Sequence, residues 1–180
     1  MTMIAPDRFI EHARRAYEWG RLEHAALQSS VALLLIAISV AVCQESARSV
    51  AIGASLFALA IGFLWHGRTA ARAAHAGLKA GMLAFAIPIV VLHGYFGADC
   101  GIMTVLIVNA LTGLVVGILL SVQAMRLGGR CYAYLFGAGT LVILSGTLGC
   151  LFFGPIGVAG MVVGYFVATA PVMVYRGATA

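Results

Sequence analysis

An all-α bundle, a polytopic transmembrane helical bundle of six spans led by a short amphipathic N-terminal helix, is the fold this sequence predicts. Three observations carry it. Apolar blocks of about 18–22 residues without Asp, Glu, Lys or Arg recur along the chain, the length needed to cross ~30 Å of hydrocarbon at ~1.5 Å per residue. Charged residues make up only 9% of the 180 and hydrophobic ones 62%, with a mean hydropathy of +1.03. A soluble domain carries roughly 25% charged residues, so this chain has too few to solvate a globular surface. Finally, the basic residues collect in alternate gaps between the blocks, as a multi-pass topology demands.

The spans are predicted at 26–43, 49–66, 80–97, 102–123, 131–152 and 155–174, leaving 1–25 as a polar arm and 26–180 as the membrane domain. Arg8, Arg14, Arg15 and Arg21 precede span 1; Arg68, Arg72 and Lys79 lie between spans 2 and 3; Arg126 and Arg130 between spans 4 and 5; Arg176 after span 6. Those ten of the eleven basic residues share one face; the other has Arg48, beside Glu45, and Asp99. The positive-inside rule makes the basic face cytoplasmic, with both termini inside. Topology therefore accounts for the net charge of +5, and direct nucleic acid binding is not expected. The early charges, Asp7 to Glu23, leave no apolar core for a cleaved signal peptide.

Lipid tails give apolar side chains little reason to leave them, so helices in a bilayer associate through close packing of small residues. Span 4 carries Asn109, Gly113, Gly117 and Ser121 at i+4 steps; span 6 carries Gly160, Gly164 and Ala168, with Gly157 a turn earlier; span 2 offers Ala54, Ala58 and Gly62. These stripes predict helix packing, with a homodimer through one of them as an open alternative. A solute path lined by Asn109 and Ser121 is the functional reading of the same residues. Pro88 falls inside span 3, where it removes one backbone hydrogen bond, and Pro155 starts span 6, where its missing N–H costs nothing. No Asp, Glu, Lys or Arg falls inside a predicted span, which argues against a pump or an ion-coupled carrier.

Of the four cysteines, Cys43, Cys100 and Cys150 fall at the outer ends of spans and Cys131 at the cytoplasmic side. In an oxidising compartment a disulfide can form among the outer three, Cys100–Cys150 being the pairing that ties two loops together; the other reading is cysteine as a small apolar residue. His93 and Asp99 could join these thiols around a soft metal, but no CxxC or HxxxH spacing supports a site, and none is assigned. His66 and His75 lack span-centred partners for haem and read as solvated; no cofactor and no enzymatic activity are expected.

From Asp7, a candidate cap, to about Leu27 the arm is helical, with Phe9, Ala13, Ala16, Tyr17 and Gly20 along one face. Arg14, Arg15, Tyr17, Trp19 and Arg21 combine charge with aromatic surface, which suits either the headgroup layer of the bilayer or a soluble partner.

The arm His12-Ala-Arg-Arg-Ala-Tyr-Glu-Trp-Gly-Arg-Leu22, Cys100 after span 3, and Gly146-Thr-Leu-Gly-Cys150 before a glycine-rich last span give the chain a layout that resembles the small six-span membrane anti-sigma factors of Proteobacteria and myxobacteria. These are the negative-regulator-of-sigma-F type and the light-responsive type of the carotenoid pathway. The resemblance implies sequestration of a cytoplasmic sigma factor by the arm and the 2–3 loop, with release on an outer-face or membrane signal sensed through the outer cysteines. The rival readings are a small transporter or channel subunit for a neutral solute, and a structural subunit of a larger membrane complex.

Overall fold

The computed structural model describes residues 6–42, 46–92, 94, 101–127, 130–151 and 154–178. Among them run seven helices: α1 Pro6–Gln28, α2 Ser30–Val42, α3 Ser46–His66, α4 Arg68–Val91, α5 Ile102–Met125, α6 Cys131–Cys150 and α7 Pro155–Ala178. From Ile10 to Ala41 α1 and α2 together make one membrane-length helix, and α3 to α7 make five more. Large apolar side chains such as Leu34, Val90, Met103, Leu111, Phe136 and Val167 point outward all round the bundle. Water would not tolerate that surface, and hydrocarbon requires it.

Ser29 makes the break between α1 and α2. Its N–H and its hydroxyl both reach the Ala25 carbonyl, at 3.0 and 2.8 Å, and Ala32 N–H turns back to the Ser29 carbonyl at 2.9 Å. Hydrogen bonding thus runs through the break, and the arm is continuous with the first span. At the far end of the α2–α3 hairpin, Ser39 donates to Ser49 or to the Leu148 carbonyl, each at 3.2 Å. Gly53 leaves the room that Ile36 fills.

The largest departure from expectation lies at α4. Residues 67–79 were predicted as a loop and span 3 as starting at 80; instead α4 begins at Arg68, and a single residue, Gly67, joins it to α3. Gly67 has φ 141°, a conformation that favours glycine. The helix starts early because its polar residues share one face. Arg68, Arg72, His75 and Lys79 stand at i, i+4, i+7 and i+11, while Ala73, Ala74, Gly77, Leu78, Ala80 and Gly81 are buried. His75 is therefore helical. Arg72 and Lys79 lie inside a span, and the argument from uncharged spans against coupled transport no longer holds.

Two helix pairs pack backbone to backbone. A Cβ at Gly77 would stand 2.8 Å from the Ala138 carbonyl, one at Gly81 2.5 Å from Ser145 Oγ, and one at Gly149 2.9 Å from the Phe85 carbonyl, so α4 and α6 run parallel in close register. On the other side, Gly160 lies on the Leu106 carbonyl, Gly164 on that of Ala110, Gly113 on that of Met161, and Gly117 against Tyr165 and Ala168. The stripes of α5 and α7 thus face each other within one chain. The α3 stripe does not meet a neighbour: Ala54 and Ala58 are exposed and a Cβ added at Gly62 would meet nothing within 4 Å, whereas Gly53, Leu56 and Ala60 turn inward. Helix α6 is the centre of the bundle, sending Leu141 and Leu148 towards α2–α3 and Tyr134, Leu135 and Val142 towards α5 and α7.

Candidate functional site

The arm is held at its root. Arg21 donates to the backbone carbonyl of Trp65 at the end of α3, its guanidinium lies 5.8 Å from the Tyr17 ring, and Ala25 is buried a turn later. Trp19 borders a cleft with Arg15, Glu18, Leu22 and Trp65. Arg14 pairs with Glu18 at 3.0 Å and Arg15 with Glu11 at 3.3 Å, both exposed i,i+4 pairs that add only a few tenths of a kcal/mol each to helix stability. Residues 10–16 are all exposed. Residues 6–16, about 16 Å of helix, therefore extend past the end of α3 with Tyr17 and Trp19 open at their base. Of the five arm residues singled out by sequence, Arg21 anchors and the other four present surface.

At the opposite end three residues chosen for separate reasons meet. Cys150, the last residue of α6, donates its thiol to Asn109 Oδ1 at 3.0 Å, and Asn109 Nδ2 donates to the Val105 carbonyl at 2.8 Å. A Cβ at Gly157 would stand 3.2 Å from both Asn109 Nδ2 and Cys150 Sγ, so the glycine makes the space for this pair. All three are buried. Cys150 is a free thiol turned into the bundle, where hydrogen bonding and tight packing hold it as a small, largely apolar side chain; Cys100, the partner considered for a disulfide, lies outside the described residues. Cys131 is likewise free and buried, packed in the core. Cys43, His93, Asp99 and Cys100 lie outside the described residues; among the described ones no cluster could hold a metal. Cys150 is expected to resist a maleimide reagent until the protein is unfolded in a Cys43/Cys100/Cys131 triple-alanine background; labelling of the folded protein at the unfolded rate would contradict this packing.

A third feature was hidden by the loop assignment. Between α4 and α5, floored by Tyr134 of α6, lies a cavity of about 520 Å³. Arg72, His75 and Lys79 line it from α4, Gln123 from α5, and Arg126 from the residue just after α5. Tyr134 donates to Gln123 Oε1 at 2.6 Å, which fixes the floor. A second notch of about 440 Å³ lies between α1, α3 and α4, and His75 borders both. The signal for the first cavity was present in the sequence as the helical spacing of residues 68, 72, 75 and 79.

No family model matches this chain, and no curated protein or solved structure matches it either.

Proposed function

We propose that the protein is a membrane-embedded regulator that holds a soluble partner at its basic end through the helical arm, a sigma factor being the partner class to which the sequence resemblance points. In this reading the bundle sits in a bacterial inner membrane with both termini cytoplasmic. The supporting observation is the rooted arm: α1 is stitched to α3 by Arg21 and passes through Ser29 into the first span, while its outer turns stay exposed. A change in packing among the spans would reach the arm through that joint, which is what release of a partner requires. The one-residue joint at Gly67 leaves no 2–3 loop to share the task.

The solute-path reading rested on Asn109 and Ser121. Both are engaged between helices, Asn109 with Cys150 and Ser121 with the Ala168 carbonyl at 3.3 Å, and neither lines the cavities described above. A homodimer would have to use another face than the α5 and α7 stripes, which pack on each other.

Deleting residues 7–16 tests the proposal without touching Arg21 or Ala25. A sigma factor is expected to copurify with the full chain from its own cells, and to be lost with the deletion while the bundle stays monodisperse. Unchanged recovery of the same partner by the truncated chain would refute the arm as the binding element.

A further inference from the structure

We propose that the cavity between α4 and α5 is a binding site for one anionic phospholipid, its phosphate held by Arg72, His75, Lys79 and Arg126. The first argument is charge. The acidic residues of the chain are Asp7, Glu11, Glu18, Glu23, Glu45 and Asp99, so α4 to α7 carry no carboxylate at all. Among the described residues no carboxylate lines the cavity. Arg72, Lys79, Arg126 and His75 line it with no acidic partner among the described residues, and an anion from outside the bundle would supply the counter-charge. The second argument is depth. Lys79 lies halfway along α4, where an ammonium facing hydrocarbon is costly unless it reaches a polar group. A phosphate drawn in beside it supplies one, as basic pockets between spans do for acidic headgroups.

The walls decide the source of the phosphate. Leu83, one turn beyond Lys79, and Leu119 opposite it line the same cavity and are 44% and 47% exposed. The cavity is thus open sideways, polar at the basic end and apolar towards the middle of the bundle. A phosphate ester with acyl chains covers both parts; a free phosphate would leave the leucines bare. Gln123, oriented by Tyr134, adds a neutral amide beside the cations.

The full chain in phosphatidylcholine nanodiscs, titrated with phosphatidylglycerol and followed by native mass spectrometry, tests the site. Saturable uptake of one phosphatidylglycerol is expected, at least about tenfold weaker in a Lys79→Gln/Arg126→Gln chain. Lys79→Arg is expected to keep full affinity, which separates charge from folding, as is Arg48→Gln at the other end of the bundle. Equal uptake of extra phosphatidylcholine, unsaturable binding, or an unchanged affinity in the double variant would overturn the proposal. So would displacement of the lipid by millimolar inorganic phosphate, which would make the ligand a soluble anion.

Discussion

Valine in place of Gly164 is expected to unfold the bundle or leave it severely weakened. Gly164 lies on the backbone of Ala110 and Leu114, and a Cβ there would overlap the Ala110 carbonyl. Where neighbouring side chains can shift, overpacking costs about 1–3 kcal/mol. Here the neighbour is helix backbone, which cannot rotate aside, so a loss of about 3 kcal/mol or more is expected. Gly113→Val should behave alike, because its Cβ would meet the Met161 carbonyl from the other helix. Gly62→Ala is the control: with nothing within 4 Å, it should change stability by no more than ~1 kcal/mol, in the direction of helix propensity. Thermal unfolding in micelles, followed by circular dichroism, reads all three. A Gly164→Val protein melting with the unaltered one would contradict the α5–α7 contact.

Asn109→Asp should be the other severe change. The side chain is fully buried, its amide oxygen receives the Cys150 thiol, and no basic residue stands on its half of α5 or on α6 and α7 near it. An unpaired carboxylate there would cost on the order of several kcal/mol, whereas the amide is satisfied in place. Protonation removes the charge, so the variant should regain stability as the pH is lowered towards about 4, while the unaltered chain shows no such recovery. Asn109→Ala, which leaves a small cavity and an unreceived thiol, should cost only about 1–3 kcal/mol and show no pH dependence. If Asn109→Asp were as stable as Asn109→Ala at neutral pH, the pocket would have to admit water or a cation.

The two severe sites lie on stripes that spacing alone makes visible. Asn109, Gly113 and Gly117 repeat every four residues, as do Gly160 and Gly164, and a helix places such residues on one face. Spacing did not say what each stripe would meet. The Ala54–Ala58–Gly62 stripe has the same look and turns outward, because α3 also carries Gly53 and Ala60 on another face and contact with α2 and its neighbours selects that one. Alanine is small on every side, so periodicity cannot choose between faces.

The start of α4 escaped a reading based on apolar blocks for a related reason. A hydropathy window averages over all faces, so Arg68, Arg72 and Lys79 lowered the score of a segment whose opposite face is wholly apolar. Reading the charges by helical phase places them on one stripe and brings the α4–α5 cavity into view. Cys150 is a different case. Its position at the end of an apolar block was readable, but its direction was not, since turning it inward depends on Gly157 of α7 standing clear of it.

By itself, then, the sequence determined the class and the number of helices long enough to span a membrane, because hydrocarbon thickness imposes a length and forbids unsatisfied backbone, both of which are local demands. The concentration of basic residues at one end of the bundle follows from the same count. Tertiary structure decided which small-residue stripes pair, where α4 begins, and that the cations of α4 face a cavity while the thiol of Cys150 faces Asn109. Those outcomes depend on what a second helix presents at the same depth, and a single helix carries no record of its neighbour.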